Sequence, residues 1–400
     1  MDGWFVGFCT TAILFYYSVV CGWSLKYFVL SISGQITNID HTAYWQSYTA
    51  SIYQPVLYHL VSIIVGGYII YHGVIKGVEK YCKIMIPALF TLLIIAAIKA
   101  LTLTGSEIGR NYFFELDLST LFNAKIWLDG LSQSAWSTGA GWGLILTYSI
   151  YARKDDNIIS NSFITGIGNN MASIIAGLAI IPTVFALSSN IPSAYEALDS
   201  GNQGLAFIII PQLFIKMNGG TVFSGVFFLA LFIAAISSLI SMIELAVRIM
   251  IDFGFSRKNA TLIICISAFF IGMPSAISID IFNNQDWVWG LGLMLSGAFF
   301  TFAVIKIKTD TFIDDWLKPS RYVIIYKAIF KILFYICLPI EFVIMLGWWL
   351  WQSIQWNPSS WWNPLSIYGV GGVLLQWIII LLIGLIFNHK FVFMIKKNRN

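Results

Sequence analysis

The chain has 400 residues, of which 58% are hydrophobic and only 10% are charged, and its formal net charge is +4. A soluble globular domain carries about 25% charged residues, so this composition excludes a large water-soluble core and indicates a protein embedded in lipid. The five cysteines and four histidines are scattered at no metal-ligand spacing. This scatter argues against a disulfide framework, a zinc site or a catalytic Cys–His pair.

About ten apolar segments are long enough to cross a bilayer, since a spanning helix needs about 20 residues. In chain order they are 3–33, 52–75, 82–104, 125–152, 160–188, 204–253, 257–277, 286–307, 322–354 and 364–389. The sixth is long enough for a loop helix followed by a span. The first has no small-residue cleavage pattern, which predicts a retained helix rather than a signal peptide. We therefore expect an all-α, multi-pass membrane protein with one domain over residues 1–400.

Basic residues lie on alternate loops between these segments. The groups are Lys76, Lys80 and Lys83; Arg153 and Lys154; Arg257 and Lys258; Lys318 and Arg321; and Lys396, Lys397 and Arg399. Such loops face the cytoplasm by the positive-inside rule, so an even number of spans places both termini there. No basic stripe with interleaved aromatic residues occurs, so nucleic-acid binding is not expected.

Three glycines within five residues interrupt the fourth segment, in the stretch SAWSTGAGWG (134–143). The flanking halves, 126–136 and 142–152, are each too short to span the bilayer alone. Gly139, Gly141 and Gly143 are spaced by two and do not share one helix face, which favours a broken helix over a glycine packing face. Irregular backbone survives in a membrane only beside protein or a water-filled cavity. The break therefore predicts an internal cavity with bare helix ends that attract ions.

Small polar residues form three stripes at helical spacing. They are Gln133 with Ser137, Asn169 with Ser173, and Ala234 with Ser237, Ser238 and Ser241. Neutral hydroxyl and amide oxygens suit a hard cation. The alternative for each stripe is hydrogen bonding between helices. Three such stripes together with one broken helix favour ion sites.

Several motifs match one family in collinear order across nearly the whole chain. They are FYYSVVCGWSLKYF (15–28), KGVEKYCKIMIP (76–87), SAWSTGAGWGLILTYSIYARKDD (134–156), GNN (168–170), AISSLISMIE (235–244) and QDWVWG (285–290). These stretches resemble the sodium-coupled neurotransmitter and amino-acid symporters, and 134–156 looks like the broken sixth helix of that family.

The resemblance implies a leucine-transporter-like fold of two inverted five-helix repeats. Residues 1–104 would be the remainder of the first repeat, 125–307 the second repeat, and 322–389 two additional C-terminal helices. The first repeat would lack its opening two helices, so the expected fold is N-terminally truncated.

The same resemblance implies a binding site for each transported species. The substrate would contact Ile13, Tyr17, Trp136, Gly139, Trp142, Ser238 and Met242. One sodium ion would use Ser137 and Asn169, and a second would use Ala234, Ser237 and Ser238, with both sites incomplete in this chain. Chloride would contact Gln133, Ser137, Asn169 and Ser173. The gate acids would be Asp252 on the cytoplasmic side and Asp286 on the extracellular side.

Two interpretations of function remain open from the sequence. The first is sodium-coupled symport of an amino acid or small amine across the plasma membrane by alternating access, with or without chloride. The second is a truncated chain that cannot transport by itself. An enzyme would need converging acid, base or metal groups, which the sequence does not supply. Glu244 and Arg248, four residues apart, are expected to form an ion pair.

Overall fold

The computed structural model describes residues 2–139, 141–152, 158–316 and 323–399. Over these ranges the chain is helical and contains no β-strand. The loop residues Arg153, Lys154, Lys318 and Arg321, which the charge pattern assigns to the cytoplasm, lie outside the described residues.

The described residues form eighteen α-helices. In order they are α1 (Asp2–Ile32), α2 (His41–Ala50), α3 (Tyr53–Tyr71), α4 (Lys80–Leu101), α5 (Ser106–Phe114), α6 (Ala124–Thr138), α7 (Leu144–Ser149), α8 (Ile158–Leu187), α9 (Ile191–Leu198), α10 (Gly201–Gly204), α11 (Ile210–Phe214), α12 (Gly220–Asp252), α13 (Arg257–Ile277), α14 (Ile279–Ile307), α15 (Thr309–Trp316), α16 (Val323–Ile332), α17 (Leu338–Trp356) and α18 (Val370–Arg399). Wider π-helical turns at Val74–Glu79, Leu205–Ile209 and Leu333–Cys337 lead into α4, α11 and α17.

Among the described residues, nine helical runs are long and apolar enough to cross a membrane. The fourth predicted segment is not one of them, because it is divided between α6 and α7. The sixth segment separates into the short helices up to α11 and the long helix α12, as its length predicted. The all-α, multi-pass architecture expected from the sequence is thus confirmed.

Helix α1 lies at the centre of the bundle. Within its apolar window 72% of the residues are buried, whereas only 6% are buried in the run Lys327–Trp356. It packs against α3, α12, α13 and α14. Because long apolar side chains of α1 such as Phe5 and Ile13 are fully buried, the other helices assemble around it. The predicted substrate residues Ile13 and Tyr17 are therefore carried by the central helix.

Candidate functional site

The helix break predicted at the glycines is present. Helix α6 ends at Thr138 and α7 begins at Leu144. Between them Gly139, Gly141 and Gly143 have φ of 72°, 77° and 75°. This left-handed region is open to glycine and costly for other residues. The conformation of the break therefore follows directly from the glycines that predicted it.

Gly141 is also constrained by its neighbours. A Cβ atom at this position would overlap the carbonyl oxygen of Leu293 and lie 2.9 Å from the amide nitrogen of Gly297. Both atoms belong to the backbone of α14, which cannot move aside as a flexible side chain would. The break is therefore seated directly on α14.

Two side-chain hydroxyls reach the carbonyl groups of the break. The Oγ1 of Thr10, on α1, donates to the carbonyl oxygen of Trp142 at 2.5 Å. The Oγ of Ser296, on α14, donates to the carbonyl oxygen of Gly141 at 2.5 Å. Sequence reasoning missed both residues, although Thr10 lies on the same face of α1 as Ile13 and Tyr17, three and seven residues later.

Two cavities adjoin the break. The larger one, of about 1160 Å³, is lined by Gln133, Trp136, Ser137 and Asp286. The smaller one, of about 370 Å³, is lined by Trp136 and by the three glycines of the break, together with residues of α14 and α17. Trp136 thus lines both cavities, and the larger one also brings together the predicted ion contacts Gln133 and Ser137 and the predicted gate acid Asp286.

The other predicted substrate residues lie deeper in the core. Ile13 and Met242 are fully buried, and Trp142 is 6% exposed. The Trp142 ring packs edge-on against Trp136, with ring centroids 5.6 Å apart. Ile13, Met242 and Trp142 line neither of the two cavities described above, whereas Trp136 lines both. Their contact with substrate stays a prediction.

Two residues predicted to bind both sodium and chloride, Ser137 and Asn169, are in contact in the structure. The side-chain amide of Asn169 on α8 donates to the Oγ of Ser137 on α6 at 2.7 Å. Ser173 donates to the carbonyl of Asn169 at 3.1 Å, within its own helix. Gln133 is exposed and does not join this group. Two of the three polar stripes therefore meet at the Ser137–Asn169 contact.

The third stripe lies on α12. Ser237 and Ser238 both donate to the carbonyl of Ala234, at 2.8 Å and 3.4 Å. Because these donations use the hydroxyl hydrogens, oxygen lone pairs remain to bind a cation. One turn further, Ser241 accepts a hydrogen bond of 2.9 Å from the hydroxyl of Tyr148 on α7. Hydrogen bonding between α7 and α12 thus accounts for the polar residue at position 241 without an ion site.

The predicted ion pair between Glu244 and Arg248 is wrong. Arg248 pairs with Asp252 at 2.8 Å, and the fully buried Glu244 pairs with Arg257. Helical spacing allows either partner for Arg248. The turn at Gly254, with φ of 97°, starts α13 so that Arg257 lies beside Glu244. The sequence spacing alone could not reveal this approach.

The two predicted gate acids have different surroundings. Asp252 is engaged by Arg248 on the same helix. Asp286 is exposed at the wall of the larger cavity, and none of the ion pairs among the described residues includes it. Asp286 is therefore the gate acid that has no cationic partner among the described residues.

Comparison with known proteins identifies the family. The sequence profile of the sodium:neurotransmitter symporter family matches residues 46–396. The chain belongs to this family. This is a family of sodium-dependent membrane transporters and not of enzymes, as the sequence motifs predicted.

Individual relatives agree with this assignment. An uncharacterized sodium-dependent transporter of Methanocaldococcus jannaschii is 31% identical over 281 residues, which are 65% of this chain and 55% of the relative. One of Bacillus subtilis is 28% identical over 367 residues, 87% of this chain and 77% of the relative. The crystal structure of MhsT in complex with L-phenylalanine is similar with a TM-score of 0.73 and 28% identity, over 86% of this chain and 80% of that one. The chain thus spans little more than half of the first relative.

Proposed function

We propose that this chain forms the core of a sodium-coupled symporter for an amino acid or a related small amine. The observation that carries the proposal is the break between α6 and α7, which lies beside a polar-walled cavity. Broken helices at mid-membrane depth present bare backbone groups to ions and solutes, and alternating access then moves the helix bundle around the fixed site. Phenylalanine in the related MhsT structure supports an amino acid as the substrate.

The polar stripes support sodium as the coupling ion. Ser137 and Asn169 approach each other across α6 and α8, and Ser237 and Ser238 keep lone pairs available beside the Ala234 carbonyl. Neutral oxygen ligands of this kind suit a hard cation. We assign one sodium site to each group, with further ligands required to complete both.

Chloride would balance the charge of these cations. Two cations in a low-dielectric interior need a negative partner, because an isolated buried charge is costly. None of Gln133, Ser137, Asn169 and Ser173 is a carboxylate, and the acid one turn before Gln133, Asp129, is already paired with a lysine. Ser173→Glu should therefore make uptake independent of chloride, whereas Ser173→Ala should not. Unchanged chloride dependence in Ser173→Glu would refute the site.

Membrane orientation and repeat organisation complete the proposal. The alternating basic loops support a multi-pass protein with both termini in the cytoplasm. We assign 1–104 to the remainder of the first repeat, 125–307 to the second, and 322–389 to two further helices. Single cysteines at the chain ends, labelled from one side of sealed vesicles, test this orientation.

A second candidate is a chain that cannot transport by itself. Ser173 is exposed on α8, which is long and apolar enough to cross a membrane, whereas Gln133 and Asp286 line the larger cavity. Polar groups that face lipid are costly. Their exposure favours a need for additional protein over these faces before the sites can work.

Uptake into proteoliposomes tests both candidates. We expect an inward sodium gradient to drive amino-acid uptake by a form with the opening two helices of the first repeat restored. We expect no uptake by the 400-residue chain alone. Sodium-driven uptake by the chain alone would refute the second candidate, and no uptake by either form, with any amino acid or small amine, would refute the first.

A further inference from the structure

The carbonyl groups of the break need hydrogen-bond donors from outside their own helix. Helix α7 begins only at Leu144, and a bare carbonyl in an apolar environment is costly. Among the described residues, the donors to the carbonyls of Gly141 and Trp142 are the hydroxyls of Ser296 and Thr10. These two hydroxyls come from different helices and reach adjacent peptide groups.

The two donor helices are themselves tightly joined. Cys9, next to Thr10, donates through Sγ to the carbonyl of Trp289 on α14 at 3.5 Å. A Cβ on Gly292, one turn before Ser296, would lie 3.0 Å from the same Sγ. Helices α1 and α14 therefore pack closely at Cys9 and Gly292. This close packing sets the distance between Thr10 and Ser296.

Neighbouring hydroxyls on the same helices behave differently. Thr11 donates to the carbonyl of Gly7 at 2.7 Å, and Thr301 donates to the carbonyl of Gly297 at 3.0 Å. Both bonds stay within one helix. Thr10 and Ser296 are thus distinguished from chemically matched neighbours by their contact with the break.

We infer that Thr10 and Ser296 are positioning residues that hold the break in its binding shape. They act through the backbone of Gly141 and Trp142, from which the side chain of Trp142 projects against Trp136. Loss of either hydroxyl leaves one carbonyl without its donor and lets the segment sample other conformations. This inference rests on the proposed function for its effect on transport, but its structural part does not.

Hydrogen exchange of the purified 400-residue protein in lipid nanodiscs tests the structural part. In Thr10→Val and in Ser296→Ala, backbone amides of 141–147 should exchange about tenfold faster, since an unsatisfied buried group costs about 1–3 kcal/mol, roughly five- to over a hundredfold in the opening equilibrium. Thr11→Val and Thr301→Val should leave exchange within about twofold of the unaltered protein. Equal exchange in all five proteins, or the same increase in the matched controls, would overturn the inference.

Conservative variants separate positioning from general damage. Thr10→Ser keeps the donor and should restore slow exchange. If Thr10→Val does not fold, Ser296→Ala, which removes a single oxygen atom, carries the test alone. Failure of Thr10→Ser to exchange more slowly than Thr10→Val would contradict the role of the hydroxyl.

Transport supplies the second readout. In a form that takes up substrate, Thr10→Val and Ser296→Ala should raise the KM for sodium and substrate about tenfold while the maximal rate changes less than about threefold, because the binding geometry is loosened. A fall in maximal rate with unchanged KM would overturn the positioning role. If neither the 400-residue chain nor the form with the restored helices shows uptake but the exchange differences appear, the proposed function fails and the structural role of the hydroxyls stands.

Discussion

The carboxylate of Glu244, fully buried on α12, accepts two hydrogen bonds from the guanidinium of Arg257 at the start of α13, at 2.7 Å and 2.9 Å. The hydroxyl of Tyr151, just beyond α7, donates to the same carboxylate at 2.8 Å. One buried charge therefore connects α12, the start of α13 and the segment that follows α7. Bidentate geometry of this kind is specific to arginine.

Removal of Arg257 should destabilise the protein strongly. Arg257→Gln leaves Glu244 buried without its counter-charge, and breaking a buried pair costs about 3–5 kcal/mol. Arg248→Gln is the matched control, because its pair with Asp252 is partly exposed and pairs near the surface contribute about 0–1 kcal/mol. Thermal unfolding in lipid or detergent measures the difference. Equal losses in the two variants would contradict the account of Glu244.

Gly141 should not tolerate alanine. Its φ of 77° strains any L-residue, which costs roughly 1–2 kcal/mol, and the added Cβ would overlap the α14 backbone. Gly141→Ala should therefore sharply reduce the yield of folded protein in membranes. Gly347→Ala, within α17, meets no atom within 4 Å and should be neutral. A folded Gly141→Ala with the unfolding midpoint of the unaltered protein would contradict the observed break.

Trp142 should limit the size of the substrate. Its ring is 6% exposed and packs against Trp136, so Trp142→Phe opens space next to the predicted substrate pocket. One methylene group in a hydrophobic pocket is worth about 1–3 kcal/mol, or 10–200-fold in selectivity. We expect the variant to favour larger amino acids by at least tenfold in competition assays. An unchanged order of preference would place Trp142 outside the pocket.

Acidification should destabilise the region around α2 through His41. Its side chain is 2% exposed, and neither ring nitrogen has a hydrogen-bond partner among the described residues. Burial lowers the pKa of His41 below 6.5, although nearby Asp40 opposes the shift. The unfolded chain thus binds a proton at a higher pH than the folded protein, so stability should fall as the pH drops below about 6.5.

A substitution that removes the titrating group tests this prediction. His41→Phe should lose less stability than the unaltered protein between pH 7.5 and pH 5.5, by thermal unfolding. His72→Phe is the control, since His72 is exposed and bonds only to the Tyr68 carbonyl in its own helix. The same pH dependence in unaltered and His41→Phe protein would exclude His41 as the cause.

The break was predictable from sequence because glycine is the residue that adopts positive φ without strain. Three glycines spaced by two leave few other conformations for 139–143. The start of α14 was less predictable. The predicted apolar segment starts at 286, but the helix begins at Ile279, where Ser278 caps it by accepting from the amide of Ile281.

Contacts between distant helices were the least predictable part of the site. The sequence does not show whether a single hydroxyl in an apolar segment, such as that of Thr10 or Ser296, forms its hydrogen bond within its own helix or with another segment. The partner of Glu244 depended on a turn eight or more residues away, which helical spacing cannot encode. By contrast, the Ser137–Asn169 contact followed from two separate motifs of one family and required no geometry to predict.

The most direct test of the central claim is the sodium dependence of amino-acid binding in Ser137→Ala and Thr138→Ala. The claim is that the segment around the break binds both sodium and solute. Ser137 contacts Asn169 across the helices, whereas its neighbour Thr138 is exposed and bonds to the Ser134 carbonyl within α6. Measured on a form that takes up substrate, half-saturating sodium should rise about tenfold or more in Ser137→Ala, since a hydrogen-bond-strength contact to a charged group is worth about 1.5–3 kcal/mol. It should stay unchanged in Thr138→Ala. Equal sodium dependence in both variants and the unaltered protein would contradict the claim.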